Sequence, residues 1–178
     1  KRWYEESKIE PNDILHQINK DDVLVFDNLN NKNQIIIDNC ANTKMLDLGQ
    51  YFELENYENN EILKKIKNKF DIINLNERVE KYLKNRFSIK SLEDIYNILH
   101  PKMIIVTGGK KGSDFVFDNN KVNKELSNPS MEIDPTGVGD AFFGVFISEY
   151  IKNNYIIDYK FIDSTFEKAT KLTKKVVK

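Results

Sequence analysis

The segment with the clearest chemical pattern runs from residue 133 to residue 144 and reads I-D-P-T-G-V-G-D-A-F-F-G. Its Asp-Pro step keeps Asp134 out of a helix, because the residue before proline avoids the helical region. Gly137 and Gly139 precede an apolar helical run. Glycines in that position let successive backbone N–H groups converge at the N-terminus of a helix. The segment therefore predicts a pocket for an anion.

Asp140 falls in the first turn of the predicted helix, so its carboxylate is expected to point toward the same pocket. A carboxylate is a poor partner for a phosphate that is merely bound, since the two negative charges repel. It suits a site where the carboxylate accepts a proton from a hydroxyl that then attacks a phosphoryl group. The structural alternative is a glycine turn in which Asp140 stabilises the helix dipole by roughly a few tenths of a kcal/mol. The short pattern alone leaves both interpretations open.

Two other phosphate-binding motifs are excluded by spacing. A dinucleotide-binding G-x-G-x-x-G motif would need glycine at position 142, where this chain has Phe142. A P-loop needs G-x-x-x-x-G-K-[ST], and the residues that follow Gly108 and Gly109 do not fit it.

The predicted strands and helices that must position these residues alternate along the chain. Short runs rich in β-branched residues predict the strands, and apolar residues at helical spacing predict helices between them. This alternation is typical of parallel βαβ units. A hairpin with a turn at 119–120 and two C-terminal helices follow. The fold class predicted is α/β. The predicted strands are 23–26, 34–37, 71–75 and 103–107, the hairpin strands 114–118 and 121–126, and the helices 12–18, 61–70, 77–87, 91–99, 139–152 and 158 to the end.

The composition narrows the class of protein. Of 178 residues, 40% are hydrophobic and 31% charged, which is the balance of a globular protein. The net charge of -1 gives no reason to expect nucleic acid or an anionic membrane as a partner. The single cysteine, Cys40, excludes an internal disulfide and a cysteine zinc site, and it suits a reducing, cytoplasmic setting. No apolar run approaches the length that spans a membrane.

The 134–144 segment resembles the C-terminal signature of the PfkB carbohydrate kinase (ribokinase-like) family, usually written Asp-Thr-x-Gly-Ala-Gly-Asp-x-Phe. The resemblance implies that Asp140 is the general base. It also implies that the backbone of Gly137, Val138 and Gly139 forms the anion hole for the transferred phosphoryl group. Asp134 and Thr136 match a loop that binds a monovalent cation, K⁺, in several members.

Two further motifs follow the order of that family. Asn74-Leu75-Asn76-Glu77 resembles its Asn-x-x-Glu motif, which implies that Glu77 holds a magnesium-bound water and that Asn74 meets phosphate oxygens. The alternative is that Asn76 merely caps the next helix. The stretch 106–113 resembles the Thr-x-Gly-x-x-Gly stretch that lines the ATP site, which implies roles for Thr107, Gly109 and Gly112. The alternative there is an ordinary turn between a strand and a hairpin.

The resemblance covers the chain from about Val23 to its end. It implies a ribokinase-like three-layer α/β/α fold with a mostly parallel sheet and a late β-hairpin. Residues 1–178 are then the C-terminal part of a single kinase domain, without the family's first strands, Gly-Gly motif and β lid. Asp38 and Asn39 look like the Asp-x-Asn that follows a strand in many members, and the segment 169–178 looks like the helix that borders the adenine.

The function implied is ATP-dependent phosphorylation of a hydroxymethyl group on a sugar or related small molecule, with ATP, Mg²⁺ and K⁺ as cofactors. The alternatives are a nucleoside kinase of the same family and a non-catalytic nucleotide-binding or inactive fragment of the scaffold. The partner expected is a small-molecule sugar or nucleoside, with no nucleic acid and no membrane, and a homodimer is left open. Since the first residue is Lys rather than Met, we expect the chain to begin inside a longer product.

Overall fold

The computed structural model describes residues 10–49, 54–126 and 137–176, which form one mostly parallel sheet with helices on both sides. A short 3-10 turn, Gly109–Lys111, lies between β4 and β5. The helices and strands are, in chain order, α1 (Pro11–Leu15), β1 (Leu24–Phe26), α2 (Asn31–Asn39), β2 (Lys44–Leu48), α3 (Asn59–Ile66), β3 (Ile72–Asn76), α4 (Glu77–Phe87), α5 (Leu92–Leu99), β4 (Met103–Thr107), β5 (Ser113–Phe117), β6 (Asn120–Lys124), α6 (Val138–Lys152) and α7 (Tyr159–Val176).

The six strands lie in the sheet in the order in which they occur in the chain, from β1 to β6. Strands β1 to β4 pair in parallel, and β5 and β6 add an antiparallel hairpin to β4. Because the first four strands are parallel, their carboxyl ends meet at one edge of the sheet, which is where α/β proteins bind ligands.

Successive side chains of a strand point to opposite faces, and the two faces carry separate cores. One core packs alternate strand residues, such as Leu46 and Ile73, against α2, α3, α4 and α5. The other packs the intervening residues, such as Met45 and Ile72, against the phenylalanines of α6 and α7. The architecture is therefore three layers, α/β/α, as the sequence predicted.

Local signals account for the helix boundaries next to the sheet. The Asn76 side chain accepts hydrogen bonds from the backbone N–H groups at the start of α4, and Ser91 does the same for α5. Both helices end at a residue in the left-handed region, Ser88 with φ 55° and His100 with φ 56°. None of the helices in the described ranges is long and apolar enough to cross a membrane.

The predicted strand at 34–37 is wrong. These residues lie inside α2, whose N-terminus is capped by Asn30 through a 2.8 Å hydrogen bond from the backbone N–H of Asn33. Ile36 and Ile37 are buried on the sheet-facing side of the helix. Packing of these two side chains against the sheet outweighs the β propensity of the isoleucine run.

The strand that the sequence analysis missed is β2, which pairs with β1 and β3 in the middle of the parallel part of the sheet. Its sequence, K-M-L-D-L, has a charged residue at its start and another near its end, so it does not look like a buried strand. One smaller prediction is also corrected. The hairpin turn is Asp118-Asn119, with φ of 48° and 59°, and Asn120 already belongs to β6. The other predicted strands and helices are present, with ends shifted by a few residues.

Candidate active site

Polar side chains line the carboxyl ends of the four parallel strands. Asp27 directly follows β1, Asp47 lies near the end of β2, Asn74 near the end of β3, and Thr107 ends β4. Asp47 and Asn74 are aligned partners in neighbouring strands. The alternation of side chains assigns Asp47, Asn74 and Thr107 to the face that packs against α6 and α7, and the charge of Asp27 acts on Asp47. We call these four residues the edge row.

The centre of the edge row is a contact between Asp47 and Asn74. The Asn74 Nδ2 donates a 2.9 Å hydrogen bond to Asp47 Oδ1, and only 4% of Asn74 is exposed. The Asn74 Oδ1 is buried and has no hydrogen-bond partner among the described residues. Burial raises the pKa of the Asp47 carboxyl. The hydrogen bond from Asn74 opposes this shift, and the negative charges of Asp140 and Asp27 add to it.

Asp140 lies at the N-terminus of α6, beside this contact. Gly137 precedes the helix with φ 78°, a conformation that glycine adopts without strain. The first backbone hydrogen bond of α6 runs 3.0 Å from the Ala141 N–H to the Gly137 carbonyl, so the amides of Val138, Gly139 and Asp140 have no acceptor within the helix. Asp140 is exposed, and its charge reaches Asp47. An exposed carboxylate and amides that have no acceptor within the helix therefore lie together over the edge row.

The loop after β4 is built from glycine. Its ends are joined by a 2.9 Å hydrogen bond from the Gly108 N–H to the Gly112 carbonyl, and the hydroxyl of Thr107 donates to the Leu75 carbonyl at 3.2 Å. Gly112 has φ 100°, and a Cβ on it would lie 1.9 Å from the backbone oxygen of Lys124. Only glycine lets the loop lie this close to β6.

Glu77 is the first residue of α4 and faces the same loop. Its two carboxylate oxygens accept from the Lys111 Nζ at 2.8 and 3.1 Å, and both side chains are largely exposed. Asn76 caps α4 through 3.0 Å bonds from Arg78 and Val79, which confirms the capping interpretation for this residue. Asn76 also donates to the Gly49 carbonyl at 2.6 Å, which ties the end of β2 to the start of α4.

A cavity of about 280 Å³ opens between the end of β6 and α7. Phe166 and Leu126 supply apolar surface, Thr170 a hydroxyl, and Asp163 and Glu167 carboxylates. Lys124, whose backbone oxygen touches Gly112, also lines the cavity, and its side chain pairs with Asp163 at 2.5 Å. Lys124 therefore borders both the glycine loop and this cavity.

The structure groups part of the predicted site. Asn74 lies under the N-terminus of α6, which carries Asp140, while Glu77 and Gly112 border the loop that follows Thr107. The predicted cation loop, Asp134 and Thr136, lies outside the described residues.

The prediction that Asp38 is the acidic residue at the end of a strand is wrong. Asp38 lies in α2, and its carboxylate pairs with Lys69 at 2.7 Å. The strand-end acids are Asp27 and Asp47, which the sequence analysis missed. Asp27 directly follows a predicted strand, so its position was a usable signal. Asp47 had no such signal, because β2 was not predicted.

In the described part of the chain, no cluster of three or more His, Cys, Asp or Glu side chains could hold a metal ion by itself. Mg²⁺ commonly binds through one or two carboxylates together with water and substrate phosphates. The exposed carboxylate of Glu77 is an oxygen donor of the kind that such an ion prefers.

A mostly parallel sheet between two helical layers, with its polar residues gathered at the carboxyl ends of the strands, defines an α/β protein with a ligand site at that edge. The sequence model of the pfkB family carbohydrate kinases matches residues 4–162. The chain belongs to this family. No curated protein matches the chain by sequence.

Solved kinases share this fold. Ribokinase from Thermotoga maritima is 22% identical with a TM-score of 0.59, over 75% of this chain and 44% of that one. A nucleoside kinase from Methanocaldococcus jannaschii is 27% identical with a TM-score of 0.53, over 62% and 35%. A sugar kinase from Pyrococcus horikoshii, solved in complex with ATP, is 20% identical with a TM-score of 0.57, over 78% and 48%. The chain thus spans less than half the length of each.

Proposed function

We propose that this chain is the phosphoryl-transfer part of a kinase that uses ATP to phosphorylate a hydroxymethyl group on a sugar or related small molecule. The observation that carries the proposal is the position of Asp140. Its exposed carboxylate stands in the first turn of α6, beside amides that have no acceptor in the helix. A base next to an anion site is what a hydroxyl needs in order to attack a phosphoryl group.

Asp140 would accept the proton of the attacking hydroxyl. The amides of Gly137, Val138 and Gly139 would stabilise negative charge on the moving phosphoryl group, since they belong to the N-terminal end of a helix. Preorganised donors of this kind supply a large part of the rate in phosphoryl transfer. The helix holds base and amides in one rigid turn, so their relative position does not depend on a mobile loop.

The nucleotide is proposed to lie between the glycine loop and α7. The loop that follows Thr107 is open at Gly109, because nothing lies within 4 Å of the position of its Cβ, and Leu126 and Phe166 give the cavity some apolar surface for a base. The ATP complex of the sugar kinase from Pyrococcus horikoshii, which shares the fold, supports ATP as the phosphate donor. Asn74 fits a phosphate contact less well, because only 4% of the residue is exposed and one of its two amide hydrogens is already bonded to Asp47.

Glu77 is the residue proposed to hold a magnesium-bound water. When bound, Mg²⁺ would neutralise charge on the nucleotide phosphates. In the free chain both oxygens of Glu77 contact Lys111, so Lys111 would have to release at least one of them. The proposed K⁺ loop, Asp134 and Thr136, rests on the family resemblance alone.

The substrate is proposed to be a sugar or a nucleoside. Ribokinase and a nucleoside kinase both share this fold, so the fold itself does not favour either. A second candidate function is a nucleotide-binding scaffold without turnover, which the contact of both Glu77 oxygens with Lys111 favours, because it occupies the carboxylate proposed for magnesium. The retained Asp140 favours catalysis, because loss of the base is the simplest route to an inactive scaffold.

Replacing Asp140 by Asn removes the base and keeps the size of the side chain. We expect kcat to fall by about 10²- to 10⁴-fold, the usual contribution of a general base, with little change in nucleotide affinity. The measurement is ATP consumption by the full-length protein against a panel of sugars and nucleosides, together with equilibrium binding of ATP.

The matched control is Glu149→Gln, at the far end of the same helix, where the carboxylate only pairs with Lys152 and Lys168. A kcat for Asp140→Asn within about tenfold of the wild-type value would exclude Asp140 as the general base. ATP binding without turnover on any substrate of the panel would favour the scaffold function instead.

A further inference from the structure

The Asp47–Asn74 contact leaves one atom unexplained. Asn74 uses Nδ2 to reach Asp47, but its Oδ1 is buried and has no donor among the described residues. A buried polar atom without a hydrogen bond is costly, and native proteins rarely leave one. Because Oδ1 is shielded from solvent, a ligand at the surface cannot supply the missing donor.

Asp47, which already contacts the Asn74 amide, could supply it. A carboxylic acid and a primary amide can form two reciprocal hydrogen bonds, and one of these, from Asn74 Nδ2 to Asp47 Oδ1, is present at 2.9 Å. The second requires a proton on Asp47, since an ionised carboxylate only accepts. A protonated Asp47 would satisfy Asn74 Oδ1.

The charges around Asp47 favour its neutral form. The charged groups that act on it are Asp140 on α6 and Asp27 after β1, and both are acidic. Burial raises the pKa of Asp47 further, and it is the largest cause of the shift. An ionised Asp47 would add a third negative charge at an edge where no described cation acts on it.

We propose that Asp47 is a positioning residue that is protonated in the free protein and donates its proton to Oδ1 of Asn74. The acid and the amide then lock β2 to β3 at the point where the two strands reach the site. The pair also keeps one negative charge away from Asp140 and from the phosphates of the nucleotide. This last role rests on the proposed function, but the protonation itself does not.

The direct test is the ¹³C signal of the Asp47 side-chain carboxyl, assigned through its own backbone in the purified wild-type protein and followed as the pH is raised. We expect this carboxyl to stay protonated to a higher pH than an aspartate side chain in a model peptide, whose pKa is about 4. An Asp47 signal that ionises near that model value would overturn the proposal. A buried water would then be the donor to Asn74.

A second test uses stability. A raised pKa stabilises the fold at low pH, and this stabilisation is lost as the pH rises through the raised value. The variant Asp47→Asn mimics the protonated acid, because its amide can donate to Asn74 Oδ1 at every pH. We therefore expect the urea midpoint of the wild type to fall relative to that of Asp47→Asn as the pH is raised from about 4 to about 8.

The matched control is Asp27→Asn, which removes a neighbouring charge but makes no bond to Asn74. Its urea midpoint should still fall as the pH rises, by somewhat less than that of the wild type, because one of the charges that raise the pKa of Asp47 is absent. A constant difference between wild type and Asp47→Asn across the whole pH range would contradict the proposal. Neither measurement uses turnover, so a failure of the kinase assay and a failure of this proposal remain distinguishable. If Asp47→Asn does not fold, the carboxyl signal of the wild type still decides.

Discussion

Asn76 has two separate roles that its position between β3 and α4 makes possible. Its Oδ1 accepts from two backbone N–H groups of α4, and its Nδ2 donates to the carbonyl of Gly49. The first role starts a helix, and the second ties the end of β2 to that helix. Only the first role could be predicted from the sequence, because Gly49 is 27 residues away along the chain.

Replacing Asn76 by Ala should lower the free energy of unfolding by about 0.5–2 kcal/mol, the usual cost of losing an N-cap. The measurement is urea unfolding of the variant and the wild type at one pH. Asn76→Asp is the control, because an aspartate caps equally well but cannot donate to Gly49. If Asn76→Ala and Asn76→Asp lose the same free energy, the cap is not the source of the loss.

At the scale of the elements, the conformation of the loop between β4 and β5 depends on Gly112. Gly112 has a positive φ, and the backbone oxygen of Lys124 occupies the space that a Cβ would need. Gly109 also has a positive φ, 56°, but nothing lies within 4 Å of the position of its Cβ. Alanine substitutions at these two positions therefore distinguish the cost of backbone strain from the cost of a steric clash.

Gly112→Ala should destabilise the fold by at least about 2 kcal/mol, since strain and overpacking both act there. Gly109→Ala should cost about 1 kcal/mol, because only strain acts. Thermal or urea unfolding of both variants checks the difference. Equal losses would show that the loop can move away from β6 without penalty. Gly112→Ala should also weaken ATP binding if the nucleotide lies along this loop.

At the scale of the whole molecule, α6 and α7 cover one face of the sheet with aromatic side chains. Phe146 is fully buried, and its ring lies 5.3 Å from that of Phe115 on β5 and 5.0 Å from that of Phe142. The same helix carries Asp140 at its N-terminus. Packing at the centre of α6 thus fixes the height of the proposed base above the strand ends.

Phe146→Ala should lower the free energy of unfolding by about 3–5 kcal/mol, because it removes a large ring and leaves a cavity in the core. Ile156→Ala is the control, since Ile156 is 56% exposed and its truncation should change stability by no more than about 0.5 kcal/mol. Calorimetric unfolding of both variants is the measurement. A loss below about 1 kcal/mol for Phe146→Ala would mean that α6 is held elsewhere.

The sequence by itself determined the features that depend on neighbours along the chain. Strand β4 and helix α4 occur where periodicity predicted them, and the glycine before α6 is where the 134–140 pattern predicted a turn. Spacing and glycine content also singled out Asp140. These signals are local, because a cap, a turn or an amphipathic helix involves residues within a few positions of each other.

Only the tertiary structure decided which residues share the carboxyl edge. The isoleucine run at 34–37 became a helix because two of its side chains pack onto the sheet, and the polar segment K-M-L-D-L became a central strand because β1 and β3 pair with it. Asp47 and Asn74 meet although 27 positions separate them. Strand pairing creates such contacts, so no local pattern in the sequence could reveal the partner of Asn74.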